Sequence, residues 1–397
     1  MLGGGTAAVS VAWAGSAACT HEERSLDNLT HSLVGAAIGK AGADRRTPLA
    51  TATLVAAANA PDVDMLSFLG GEYYALAFRR GITHGVPALL VLPFLVAGAV
   101  LAWDRWVRRR RDPHAEPADP RWILALSAVG LATHPSLDWL NIYGMRWWLP
   151  FDGSWSYGDT LFIIDPWLWL GLGGAVFLAS APGKRGRMGW GVLALLTTLV
   201  VTLGVGGGPA LLWALGMAGI LVLRSRWEGR LRPVSMRWVG LVALLYIFGM
   251  HASRRGAEAN VRAEAAAQGL NVRGVLVAPS RGVPFRAEVE LLTEGGYVPG
   301  SHDWLATPRV RLRPDDTVRL RTRPAGMDPD QAGRIIEHAR TRPRAANYLV
   351  WARMPYVHIT PDDDGWQVLF GDARYDSQPE AGGLAGVRVA VPRSAIP

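Results

Sequence analysis

The sequence predicts a mainly α protein: a polytopic transmembrane helix bundle followed by a C-terminal soluble α+β domain. Three observations carry that expectation. Half of the 397 residues are apolar and only 19% are charged, too greasy a balance for a soluble enzyme of this length. Residues 86 to 103 (VPALLVLPFLVAGAVLAW) hold no charge, and at 1.5 Å per residue they nearly cross a hydrocarbon core of ~30 Å. From about residue 252 the composition turns to that of a soluble domain. The one cysteine, Cys19, excludes a disulfide scaffold.

Taken in chain order, residues 1–25 stand apart as an N-terminal extension. Their apolar stretch lacks the basic n-region of a secretion signal. Asn28 to Gly42 is apolar, rich in small residues and interrupted by His31, which places it as a helix inside the bundle. Besides 86–103, spans are expected at 48–60, 121–134, 161–181, 189–205, 210–223 and 238–251. Several fall short of the ~20 residues of a free-standing span, so they must pack together. Gly206-Gly207-Gly208-Pro209 breaks the uncharged stretch 189–223 into a helical hairpin. Residues 26–251 therefore form the membrane bundle.

Residues 252–397 form the soluble domain. Alternation over Phe285 to Leu291 reads as a half-buried strand, and 309–313 and 317–321 flank Pro314-Asp315-Asp316 as a hairpin. Asp328-Pro329 caps a helix to about Thr341, with strands at 347–360 and 366–370 around the turn Asp362 to Gly365.

The net charge of +8 comes almost wholly from arginine, since Lys40 and Lys184 are the only lysines. Clusters at Arg45-Arg46, Arg105 to Arg111, Lys184 to Arg187 and Arg224 to Arg237 fall at alternate ends of the spans. By the positive-inside rule those loops are cytoplasmic, which leaves His31, 62–84, 134–165 and the tail on the outer side. The arginine run lacks the aromatic interleaving of a single-strand groove, so nucleic acid is not an expected partner; the bilayer is.

Within the bundle, three histidines sit in Thr-His pairs inside or at the ends of apolar segments: His31, His84 and His134. Asp62 and Asp64 end one span, Asp138 follows His134 by four residues on one helical face, and Asp159 and Asp165 open another span. Ionisable groups at membrane depth cost several kcal/mol each unless paired, coordinated or wet. Imidazole and carboxylate together form the ligand set for Zn, Mn or Fe, and the lack of neighbouring cysteines excludes a thiolate site. For a single histidine a bond to a backbone carbonyl is the commoner arrangement; four segments delivering such groups to one side favour one or two divalent ions, zinc first. Arg80 is set either to grip an anionic substrate or to pair with a carboxylate such as Asp64.

The motifs DNLTHSLVGAAIG, NAPDVD, RRGITHG, HPSLDWLNIYG and YGDTLFIIDPWLW resemble the YdjM-like bacterial membrane-bound metal-dependent hydrolases over residues 26 to 181, and WARMPYVHI with DGWQVLFGDARYD resembles the tail of their longer members. Arg79 stands where many members carry histidine. The resemblance implies a multi-pass protein of the bacterial inner membrane, with His31, Asp62, Asp64, His84, His134 and Asp138 at the metal. Asp64, Asp138 and Arg80 are the catalytic candidates, and Asp159 and Asp165 lie behind the site or face substrate. The expected reaction is hydrolysis of an ester or phosphoester in an envelope lipid or lipid-linked substrate, with the metal site and the tail domain on the outer face. The rival expectation is a non-catalytic envelope protein with a structural or regulatory His/Asp metal site.

Overall fold

The computed structural model describes residues 16–180, 183–205, 207–226, 232–375 and 383–396. Most of the N-terminal extension, residues 1–15, lies outside the described residues. The chain divides into two compact units, Leu26–Leu320 and a second that contains Arg321–Pro397.

The first unit opens with helix α1 (Ser16–Lys40) from Leu26 onward, and α2 (Ala50–Asn59). A 3-10 segment, Ala60–Gly70, then leads to α3 (Glu72–Phe78). Helix α4 (Val86–Trp103) continues through a π-helical turn, Asp104–Arg108, into α5 (Arg109–Arg111), and α6 spans Pro120–Trp139. Helices α7 (Pro166–Ala179), α8 (Lys184–Gly204), α9 (Gly207–Arg226) and α10 (Pro233–Ala267) complete the helical part. Among the described residues, four segments are long and apolar enough to cross a membrane: Val86–Arg111, α8, α9 and α10. The hairpin expected at 206–209 is present as the break between α8 and α9, with Gly207 at φ 53° and Gly206 outside the described residues.

Helix α2, at 10 residues, is too short to cross alone and is held by its neighbours. A Cβ on Gly35 of α1 would stand 2.8 Å from Leu54 O of α2, and one on Gly130 of α6 would meet Leu54 O and Ala57 Cβ at 2.8 Å each. Only hydrogen at those positions lets three backbones approach this closely, as small residues do at membrane helix crossings. The buried face of α6 runs Ile123, Leu126, Ser127, Gly130, Leu131, His134 and Asp138, the 3.6-residue stripe of a packed helix. Crossing α1, α2 and α6 at these small residues turns His31 and His134 toward each other.

Helix α10 continues unbroken from His251 to Ala267, so the change of composition near 252 falls inside a helix. Its last turns hold an antiparallel sheet of β1 (Val272–Pro279), β2 (Arg286–Thr293), β3 (Tyr297–Asp303) and β4 (Val310–Leu312) in sequential order. Ala257, Val261 and Ala265 bury against Val277, Val289 and Leu291. Trp167 donates from Nε1 to Gly282 O at 3.2 Å, which ties the β1–β2 connection to the start of α7, and Thr160 Oγ1 lies 3.1 Å from His251 Nδ1 of α10.

The second unit holds β5 (Arg321–Thr322), α11 (Pro329–Arg340), α12 (Pro343–Trp351), β6 (Pro355–Asp362), β7 (Gly365–Asp372) and β8 (Gly386–Pro392). Its sheet runs β5-β6-β7-β8, with β5 parallel to β6 and the other pairs antiparallel. Asp328 caps α11 as expected, accepting from Gln331 N at 3.0 Å.

Two sequence expectations fail in this region. Residues 309–313 and 317–321 do not form a hairpin: β4 pairs with β3, and Val318 bridges to Tyr297, because Pro314–Asp316 forms a 3-10 turn that keeps both flanks on the edge of β3. Residues 347–351 are helical, since Ala345, Tyr348 and Trp351 recur at three-residue spacing and are buried; the strand begins only at Pro355.

The tail motifs converge on one buried ion pair. Asp372 accepts from Arg353 N at 2.7 Å, from Arg374 Nε at 3.0 Å and from Arg374 Nη2 at 2.8 Å. The Arg374 guanidinium lies against Trp351 and Tyr375, 4.7 and 5.1 Å from their ring centroids. These residues build a structural knot.

Candidate metal centre

Four elements of the first unit bring their polar side chains to one point. His31 comes from α1, Asp62 and Asp64 from the 3-10 segment, His84 from the turn before α4, and His134 and Asp138 from α6. His31, His84 and His134 are fully buried at 0% exposure, and Asp138, Asp64 and Asp62 are nearly so. Asp62 and Asp64 are two apart on a 3-10 segment, and its three-residue turn points them to different sides of His84.

Asp62 Oδ1 is 3.8 Å from both His84 Nε2 and His134 Nε2. Asp138 Oδ2 is 3.2 Å from His84 Nε2 and 3.5 Å from His134 Nε2. The two imidazole Nε2 atoms stand 3.0 Å apart. His31 stacks on His134 with ring centroids 3.8 Å apart, and its Nε2 lies 3.4 Å from Asp138 Oδ1.

The second nitrogen of each imidazole fixes its proton. His134 Nδ1 lies 2.6 Å from Ala58 O, an atom that can only accept, so the proton is on Nδ1. His84 Nδ1 lies 3.3 Å from the Asp64 carboxylate, which assigns its proton in the same way. Both Nε2 lone pairs therefore face the same point, together with oxygens of Asp62 and Asp138. The inner oxygen of the buried Asp138 carboxylate, Oδ2, has no hydrogen-bond donor among the described residues, whereas Oδ1 faces the Arg80 guanidinium. Acceptors crowded this closely repel unless a cation lies among them. A tetrahedral ion with bonds of about 2.0–2.1 Å sets its ligands about 3.3 Å apart, and the separations of the two imidazole Nε2 atoms from each other and from the Asp62 and Asp138 oxygens, 3.0 to 3.8 Å, bracket that value. His31, His134 and Asp138, and likewise Asp62, His84 and His134, form groups able to hold a metal ion.

Asp64 stands behind His84 rather than within either of those groups. Its Oδ2 accepts from Arg80 N at 2.9 Å and from Thr83 Oγ1 at 3.3 Å, and its Oδ1 faces Arg79 Nε at 3.4 Å. The same Arg79 guanidinium reaches Asp62 Oδ1 from Nη2 at 3.4 Å. Of the two roles open to Arg80, pairing with a carboxylate is the one seen, and the carboxylate is Asp138: Arg80 Nη2 is 3.1 Å from its Oδ1. Arg80 Nη1 donates to Asn141 Oδ1 at 2.7 Å, and the guanidinium lies 4.6 Å from the Tyr143 ring centroid. Arg80 holds this position with φ 51°, a left-handed backbone that costs a non-glycine residue on the order of 1 kcal/mol or more. The strain is maintained because Arg80 contacts Asp64 through its backbone and Asp138 through its side chain.

Asp165 serves elsewhere: it caps α7, accepting from Trp167 N and Leu168 N at 3.0 Å each, and accepts from Tyr246 Oη at 2.8 Å. Asp159 is buried with φ 47°. Asn141 and Ala58 O went unread in the sequence. Asn141 lies just past the end of α6, three residues after Asp138, and only that nearness in sequence pointed to it; a backbone carbonyl such as that of Ala58 leaves no sequence signal. Thr30 Oγ1 accepts from Trp169 Nε1 at 2.8 Å, and Thr83 Oγ1 lies 3.0 Å from His84 Nδ1.

Residues 26–207 match the family model described as YdjM inner membrane protein, in line with the motif resemblance. Together with the four long apolar helices, the match supports a multi-pass inner membrane protein. No curated protein and no solved structure matches the chain.

Proposed function

We propose that the chain is a metal-dependent hydrolase of the inner membrane that cleaves an ester or phosphoester in an envelope lipid or lipid-linked substrate. The observation that carries this reading is the pair of imidazole lone pairs, His84 Nε2 and His134 Nε2, facing carboxylate oxygens of Asp62 and Asp138. A divalent ion held by these residues supplies Lewis acidity toward a carbonyl or phosphoryl oxygen, and the all-N/O donor set suits Zn, Mn or Fe.

The chain's own residues orient that centre and handle the proton. Asp64 and Ala58 O hold the Nδ1 protons of His84 and His134, which keeps both Nε2 atoms as donors of electron pairs. Arg80 and Asn141 lock the end of α6, so that Asp138 keeps its oxygens aimed inward. His31, beside Asp138 Oδ1, is placed to hold a proton at Nε2.

A lipid substrate is favoured by the outer surface of the same segment that supplies Asp62 and Asp64. Val63, Leu66 and Leu69 are exposed at three-residue spacing on its other side, and Trp148 and Phe151 are exposed on the loop after α6. Such apolar rims lie well in a lipid interface. The arginine-rich loops 105–111 and 224–237 then face the cytoplasm, and the site and tail face outward.

The test uses protein in liposomes of native envelope lipid. Head group or acyl chain should be released, with loss on chelation, recovery with Zn or Mn, and no release by His134→Ala. The complete burial of the three histidines favours a second reading, a structural metal site. Tightly bound metal with no release across the lipid panel would decide for it.

A further inference from the structure

Taking the proposed metal centre as its basis, we infer that the centre holds one divalent ion and not two, with Asp62, His84, His134 and Asp138 as ligands. On this assignment Arg79 and Arg80 are fixed charges that exclude a second ion, and His31 is not a ligand. Three arguments lead there.

The first is lone-pair arithmetic. The two groups of residues able to hold a metal share His134. Its Nδ1 is committed to Ala58 O, so one lone pair remains, on Nε2, and that pair can bind one ion. A second ion beside His31 would have only His31 and the outer oxygen of Asp138.

The second is that this outer oxygen is already engaged. Asp138 Oδ1 faces the Arg80 guanidinium at 3.1 Å and His31 Nε2 at 3.4 Å. A divalent ion on Oδ1 would sit against a permanent cation, since arginine does not lose its proton in proteins. On the other flank, Arg79 bridges Asp62 Oδ1 and Asp64 Oδ1 at 3.4 Å each. The Asp62–Asp64 pair is therefore spanned by one guanidinium group and the outer oxygen of Asp138 faces another, while Asp62 Oδ1, with the longer of these contacts, also faces both imidazole Nε2 atoms at 3.8 Å.

The third is charge. The carboxylates of Asp62, Asp64 and Asp138 meet the guanidinium groups of Arg79 and Arg80, and with neutral imidazoles the cluster carries one net negative charge. One divalent ion leaves it at one positive charge, whereas two would leave three in a buried site, where uncompensated charge is costly. Arg146, nearly buried and donating from Nη2 to the carbonyls of Ala77, Phe78 and Arg79, adds positive charge on the same side.

The test reads metal rather than turnover. Elemental analysis of full-length protein purified in detergent should give one Zn or Mn per chain, and the Mn-loaded form should show the resonance of an isolated ion without exchange coupling. His31→Asn should still bind one ion, with affinity weakened no more than the roughly 10–100-fold typical of a lost outer partner, while His84→Ala and His134→Ala should lose it. Arg80→Gln should admit a second ion at excess metal, and one ion only in that variant would refute the role given to the arginine. Folding of each variant is checked by circular dichroism and gel filtration. Two ions per wild-type chain, coupled Mn spectra, or a folded His31→Asn without metal overturns the one-ion assignment and leaves the metal centre standing. Wild-type protein without metal overturns both.

Discussion

Asp64→Asn separates a residue that orients a ligand from one that is a ligand. In the wild type, Asp64 Oδ2 accepts from Arg80 N at 2.9 Å and lies 3.3 Å from both Thr83 Oγ1 and His84 Nδ1, while Oδ1 faces Arg79 Nε at 3.4 Å. Asparagine keeps the shape and one acceptor. If its oxygen stays on Arg80 N and His84 Nδ1, its NH2 meets the Arg79 guanidinium, donor against donor, and the negative charge that favours the His84 Nδ1 proton is gone. Loss of an acceptor behind a metal-ligating imidazole weakens metal binding by about 10–100-fold, which is about 1.4–2.7 kcal/mol. Removing one partner of a buried ion pair also costs the fold ~3–5 kcal/mol, so retention of helix content is measured alongside. The assay is chelator competition on purified protein in detergent, with Zn or Mn as the titrant. A Kd within twofold of the wild type would refute the orienting role. Complete loss of metal from a folded variant, equal to that of His134→Ala, would place Asp64 on the ion itself.

Gly130→Val should push α6 away from α2, because its Cβ would start 2.8 Å from Ala57 Cβ and Leu54 O; overpacking of about 1–3 kcal/mol should appear as a lower Tm in detergent together with weaker metal binding. In the second unit, burial tends to raise the Asp372 carboxyl, but the Arg374 ion pair and hydrogen bonds from Arg374 and Arg353 outweigh it and hold its pKa below the ordinary 3.8. The stability it contributes is therefore complete above that value and is lost as pH falls through the lower, folded-state one. Hydrogen exchange of β6 to β8 should rise in acid in the wild type, whereas Asp372→Asn, lacking ~3–5 kcal/mol, should exchange faster already at pH 7. A reporter active only in the cytoplasm, fused to the C-terminus, should be silent; strong activity would reverse the orientation and put the metal centre on the other face.

Much of this molecule is legible without coordinates, because helices in lipid satisfy their own backbone and so announce themselves as apolar runs. The spans at 86–103, 189–205, 210–223 and 238–251 were readable for that reason, and so were the histidines and aspartates whose cost at membrane depth demands a partner. Strand and helix in the tail were harder to tell apart. Ala345, Tyr348 and Trp351 form a helical face whose burial becomes visible only once the sheet beneath it exists, and β4 pairs back onto the preceding strand β3 rather than forward onto 317–321, a choice between two nearby partners that local pattern does not decide. The site divides along the same line. Sequence determined which side chains are candidates, since ligand chemistry belongs to the residue. Tertiary structure decided their ranks, because rank depends on where each atom points. The close crossing of α1, α2 and α6 through Gly35 and Gly130 brings His31 against His134, the 3-10 turn sends Asp62 to the front of His84 and Asp64 behind it, and the left-handed backbone of Arg80 sets one residue against both Asp64 and Asp138.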